Sequence, residues 1–268
     1  MTRIIFLVLV LLVTGCSSSR APRYWDASSM AGLPLPVVSF LDRPKGKVIA
    51  SVSTGDIRRT IYIKDRVEAA AGELRTRLLL ADDKQPNGFS FDNKGHPIIA
   101  ITIGMINLVG NDDAAMAAFM GHELAHMYLM HGMRRKDRDD NSIIASTVLT
   151  FALGFAGIPI PMDATDVATG SVVKSFSRDD EREADQLGVE FMAHAGFDPW
   201  GAMRLQEKLV MISGKTLLPF LSTHPTSAER ADNMKRLAME TSPEQAPASI
   251  PIGSMENIQS VTLPATQK

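Results

Sequence analysis

His122-Glu123-Leu124-Ala125-His126 sets two imidazoles around a carboxylate inside a run whose apolar positions repeat with helical period. On a helix advancing about 100° per residue, positions four apart lie within roughly 40° of each other, so both rings face one point. Two neutral imidazoles and one further protein ligand leave a zinc ion an open position for water. Glu123, one step round the helix, is placed to take that water's proton. The pattern points to a metallopeptidase. Its surroundings favour a helix: Asn111-Asp112-Asp113 offers a cap, and Ala114 to Met120 are strong helix formers. Gly132 with Arg134, Arg135 and Lys136 is expected to close the C-terminal end, and Met116, Phe119, Met120, Leu124, Met127 and Met130 supply a buried face.

The chain around this motif has 268 residues, 45% of them hydrophobic, and a net charge of -2. That composition suits one globular domain with flexible ends, and the absence of a basic stripe argues against nucleic-acid partners. Upstream, Lys47 to Val52 reads as a short strand and Asp65 to Leu80 as a helix. Phe89-Ser90-Phe91 and Ile98 to Ile103 are β-rich and joined by Asp92-Asn93-Lys94-Gly95, a hairpin signal. Ile98 to Ile103 is the expected free edge, on which an extended substrate backbone pairs over the metal; the alternative is a buried central strand. Downstream, Ile143 to Ile160 reads as a core helix from about Ser142 ending in a loop, with a membrane-dipping hairpin as the alternative. Helices are expected over Ser177 to Ala195, Pro199 to Ser213 and Ser227 to Glu240.

The first fifteen residues read as a signal: Arg3, an apolar run from Ile4 to Val13, then small residues. Leu12-Val13-Thr14-Gly15-Cys16 resembles the lipobox of bacterial lipoproteins, which implies cleavage before Cys16 and its acylation. Ser17 in place of Asp resembles the outer-membrane sorting signal, so a periplasm-facing protein held by lipid is expected. The expected organisation is a signal over 1–15, a lipidated cysteine and flexible tether over 16–45, a catalytic domain over 46–240 and a disordered tail over 241–268.

A catalytic site needs a third ligand. The metzincin pattern fails, because Leu129 and Gly132 stand where it requires Gly and His. His131 lies nine residues from His122, about 180° round a continuing helix, and is expected to point away from the ion as a packing or capping residue. In Ser177-Arg178-Asp179-Asp180-Glu181-Arg182-Glu183-Ala184-Asp185, Glu181 and Asp185 share a helix face, so one carboxylate can bind the metal while the other orients a ligand. Glu183 is the substitute ligand if that helix is rotated, and a solvated acidic face is the reading without a site. His96 and His194 read as structural.

Taken together, HELAH, SRDDEREAD and the later Ser222-Thr223-His224-Pro225 with Arg230 resemble the zinc metallopeptidase family that includes CAAX prenyl endopeptidases, HtpX, BepA and LoiP. The resemblance spans roughly Lys47 to Leu237. It implies an α+β zincin-like fold, mostly helical with a small sheet beside the motif helix, and one zinc ion held by His122, His126 and Glu181. It implies Glu123 as general base, and Asp185 hydrogen-bonded to a ligating imidazole, sometimes with a proton-donor role. His224 is implied either as oxyanion stabiliser or as a fourth ligand that holds the enzyme latent. The HtpX and CAAX enzymes carry several transmembrane helices and BepA a helical-repeat module, neither of which is read here, so the nearest type is a single-domain lipoprotein peptidase similar to LoiP. The expected function is proteolytic quality control of misfolded or unassembled envelope proteins. The alternative is a non-catalytic zinc lipoprotein acting as chaperone or assembly factor.

Overall fold

The computed structural model describes residues 22–42, 46–72, 74–93, 95–132, 176–213, 219–225 and 228–241. The expected signal, the apolar stretch from Ile143 to Ile160 and nearly all of the C-terminal tail lie outside them. Among the described residues no helix is long and apolar enough to cross a membrane.

The elements run β1 (Tyr24–Asp26), α1 (Ala27–Ala31), β2 (Val37–Leu41), β3 (Val48–Ser53), α2 (Thr54–Ala71), β4 (Arg77–Ala81), β5 (Gly88–Asp92) and β6 (Pro97–Thr102). Among the described residues these helices follow: α3 (Ile103–Val109), α4 (Asp113–Tyr128), α5 (Arg178–His194), α6 (Trp200–Ser213), α7 (Pro219–Thr223) and α8 (Ala228–Glu240). This is the α+β, mostly helical, zincin-like arrangement with a small mixed sheet.

Local chemistry explains most boundaries. Ser53 caps α2 by accepting from the Asp56 amide, and Gly72, at φ 112, ends it in a conformation that side-chain-bearing residues rarely adopt. The expected helix over Asp65 to Leu80 is therefore corrected: its first part belongs to α2, and its last residues enter β4. Leu78-Leu79-Leu80 is buried throughout and pairs in parallel with Ile99-Ala100-Ile101, which is how a strand covered on both faces reads. Asp112 caps α4 as anticipated, accepting from the Ala115 amide at 3.0 Å. Ser177 and Asp180 form a reciprocal capping box at the start of α5.

Two further expectations change. The segment assigned to a tether is folded from Tyr24 onward: β1 pairs with β4, β2 pairs with β3, and the Arg23 guanidinium donates to Asp82 at 2.8 Å. Phe40 and Val38 are core residues, so alternation over Val37–Leu41 carried a strand signal that the Ser and Pro content upstream obscured. In the sheet, ordered β1-β4-β6-β5, β6 lies between two neighbours and is a central strand; among the described residues the edge strand next to the motif helix is β5. Its hairpin turn closes where expected, with the Gly95 amide donating to Asp92 at 2.7 Å and reciprocal backbone bonds between Asn93 and His96.

Helix α4 is the axis of the core, buried continuously from Ala114 to His126. Its fully enclosed Met116, Phe119, Met120 and Leu124 each contribute roughly 1.5–3 kcal/mol by leaving water. It crosses α5 at two glycines. A Cβ on Gly121 would meet the Gly188 carbonyl oxygen at 2.5 Å, and one on Gly188 would meet the His122 amide nitrogen at 2.8 Å. Only bare backbone permits so close a crossing, and it brings the carboxylates of α5 against the histidines of α4.

Candidate metal centre

His122, Glu123 and His126 come from α4, Glu181 and Asp185 from α5, His224 from the turn after α7, and Arg230 from α8. All seven side chains are buried. The Nε2 atoms of His122 and His126 are 3.0 Å apart, and Glu181 presents Oε2 to the first at 3.6 Å and Oε1 to the second at 3.4 Å. His224 Nδ1 stands 3.2 Å from His122 Nε2 and 3.0 Å from Glu181 Oε1. One donor atom from each of these four residues lies within 4.8 Å of the others.

Protonation states follow from what stands behind the rings. His122 Nδ1 faces Asp185 Oδ1 at 3.1 Å, and that carboxylate is held by the Arg230 Nε and Nη2 donors at 2.7 Å each. An ionised carboxylate only accepts, so His122 carries its proton on Nδ1 and offers a lone pair at Nε2. Lone pairs from two imidazoles and a carboxylate thus converge on one point, which calls for a cation. Nitrogen and oxygen donors in this number suit a divalent metal of the zinc class.

Charge balance agrees. Burial acts to raise the Glu181 pKa, but the imidazoles of His126, His224 and His122 gathered around it hold it well below the usual carboxylate range. Arg230 Nη1 adds an ion pair to Glu181 Oε2 at 2.6 Å. Burial pushes His126 well below its ordinary value, outweighing Glu181. For His122 burial acts the same way, but the hydrogen bond to Asp185 and the charge of Glu181 prevail and raise it. Glu123 Oε1 and His224 Nε2 are enclosed, 3.5 Å apart and without a hydrogen bond, an arrangement suited to groups that exchange protons with something brought into the site.

The structure brings His122, Glu123, His126, Glu181, Asp185 and His224 together. Glu183 is not beside Glu181: it faces His131 at 3.1 Å, with its side chain half exposed. The expectation for His131 is corrected in its direction. Helix α4 stops at Tyr128, not near Gly132, and Met130 turns the chain through φ 54, so that His131 folds back under His126 with their Nδ1 atoms 2.9 Å apart. The nine-residue rotation assumed a helix that does not continue. Phe176, for which the sequence carried no signal, stacks on the His126 ring with centroids 4.0 Å apart. His96 and His194 are exposed and outside the group.

The signature described as peptidase family M48 matches residues 58–238, from within α2 to within α8. The chain belongs to peptidase family M48. This M48 chain is 23% identical to Metalloprotease YcaL of Escherichia coli K12, over 51% of its own length and 53% of that protein's. It is 24% identical to the beta-barrel assembly-enhancing protease of Yersinia pestis, over 69% of this chain and 39% of the other. Mitochondrial metalloendopeptidase OMA1 of Arabidopsis thaliana is 30% identical over 55% of this chain and 28% of its own. The chain thus spans about half the length of these curated relatives or less. The four-residue donor group lies within the part of the chain that the family signature matches.

Proposed function

We propose that this M48 peptidase is a zinc-dependent endopeptidase of the bacterial cell envelope that hydrolyses misfolded or unassembled envelope proteins, held to the membrane by lipid on Cys16. The observation that carries the reading is the convergence of His122, His126 and Glu181 with the unpaired Glu123 carboxylate oxygen enclosed beside them. Likeness to beta-barrel assembly-enhancing proteases supports the envelope setting, and the lipobox-like Leu12 to Cys16 supports the anchor.

His122, His126 and Glu181 would hold the zinc, with Asp185 fixing the His122 ring. When bound, zinc supplies Lewis acidity that polarises the scissile carbonyl and acidifies water. Glu123 accepts the proton of the attacking water and returns it to the departing amine. The substrate place proposed is β5, the edge strand among the described residues: Ser90 Oγ on this strand donates to the Glu123 carbonyl at 2.9 Å, so a backbone laid along β5 runs beside the motif. Such pairing reads exposed main chain and disfavours folded proteins.

Glu123→Gln tests the chemistry. Zinc content is expected to stay at one per chain while casein cleavage falls by about 10²–10⁴-fold, the usual contribution of a general base. Full cleavage by a zinc-loaded variant would falsify the mechanism. His224, whose Nδ1 stands within the donor group, is read as a fourth donor that closes the resting site. His224→Ala is then expected to raise cleavage several-fold, whereas a fall would assign His224 to the transition state instead.

A further inference from the structure

The geometry points to His131 as a positioning residue that fixes the tautomer and plane of His126 through a directed hydrogen-bond chain ending on Glu183. The inference rests on the reading of His126 as a ligand and deepens it. His131 is fully buried, and the chain reaches it through the left-handed backbone of Met130, a costly conformation for a non-glycine residue. That cost is sustained where the surrounding structure demands it, and here it delivers one ring to one place.

The direction of the chain follows from counting protons. His126 Nε2 faces His122 Nε2 and Glu181 Oε1, so a neutral His126 that offers a lone pair there carries its proton on Nδ1. Among the described residues the partner of that proton is His131 Nδ1 at 2.9 Å, which then accepts. His131 in turn carries its proton on Nε2 and donates it to Glu183 Oε2 at 3.1 Å, with Asp180 Oδ1 at 3.9 Å on the same side. A proton on His131 Nδ1 instead would make His126 Nδ1 the acceptor, and a neutral His126 would then carry its proton on Nε2 and lose its lone pair at the metal point. Phe176, stacked at an interplanar angle of 25°, holds the His126 ring in the plane this chain requires.

Three variants separate positioning from filling. His131→Phe keeps ring volume and loses the acceptor. His131→Asn returns an amide oxygen to the Nδ1 position, and Glu183→Gln alters the half-exposed far end. Zinc affinity is read by competition with a chromogenic chelator, and the fold by thermal unfolding of the metal-free protein. His131→Phe is expected to weaken zinc binding by about 10–100-fold with little change in metal-free unfolding, Asn to recover most of the loss, and Glu183→Gln to lose a few-fold. Wild-type affinity in His131→Phe, or equal losses in Phe and Asn, overturns the inference. If His131→Phe does not fold, unchanged affinity in Glu183→Gln overturns it. His126→Ala is the control: retained affinity there defeats the ligand reading itself, whereas loss there with none in His131→Phe defeats only the chain.

Discussion

Two imidazoles four residues apart on one helix are held by opposite means. Behind His122 stands a wall of charge from distant parts of the chain, with Asp185 on α5 gripped at two points by Arg230 on α8, everything buried. Behind His126 stands a second imidazole from the turn that ends its own helix, backed by a half-exposed carboxylate and covered by an aromatic face. The first wall exists only when three helices pack; the second is mostly local. Their electrostatics differ accordingly, His122 being raised and His126 depressed from the ordinary histidine value. The lesson is that a spaced ligand pair says nothing about how each ligand is oriented.

The contrast is broken most severely by Arg230→Met, which strips the cation from two buried carboxylates, Asp185 and Glu181. A loss of about 3–5 kcal/mol is expected in denaturant unfolding of the metal-free protein, against little for His131→Phe. Comparable small losses in both would erase the distinction between the walls.

Gly188→Ala comes next. The added methyl meets the His122 backbone at 2.8 Å, so α4 and α5 must part, at an expected cost of about 1–3 kcal/mol together with weaker metal binding. An unchanged unfolding midpoint and affinity would show that the crossing tolerates a wider spacing.

The smallest effect sharpens the comparison by proton. Histidine NMR titration of the metal-free protein is expected to place His122 above the ordinary value of 6.5 and His126 below it. The stability consequences have opposite signs. The contribution of His122 is fully present below about 6.5 and is lost as pH rises through its raised folded value. His126 withdraws stability as pH falls below 6.5, because the unfolded chain takes the proton first. A reversed order of titration would contradict the electrostatic difference between the two rings.

Sequence alone determined what is periodic or local: the paired histidines and Glu123 on α4, the cap at Asp112, the α5 carboxylates four apart, and the hairpin turn at Asp92 to Gly95. These follow from helical and strand periods and from side chains that bond to their own backbone neighbours, so residue type and spacing suffice. Tertiary structure decided which faces meet. It made β6 central and β5 the edge, because strand order depends on long-range pairing that an apolar run does not encode. It set α4 against α5 through Gly121 and Gly188, whose meaning lies in an absent Cβ at a crossing point. It also returned His131 to the site, because helix α4 ended before the rotation on which the sequence argument relied.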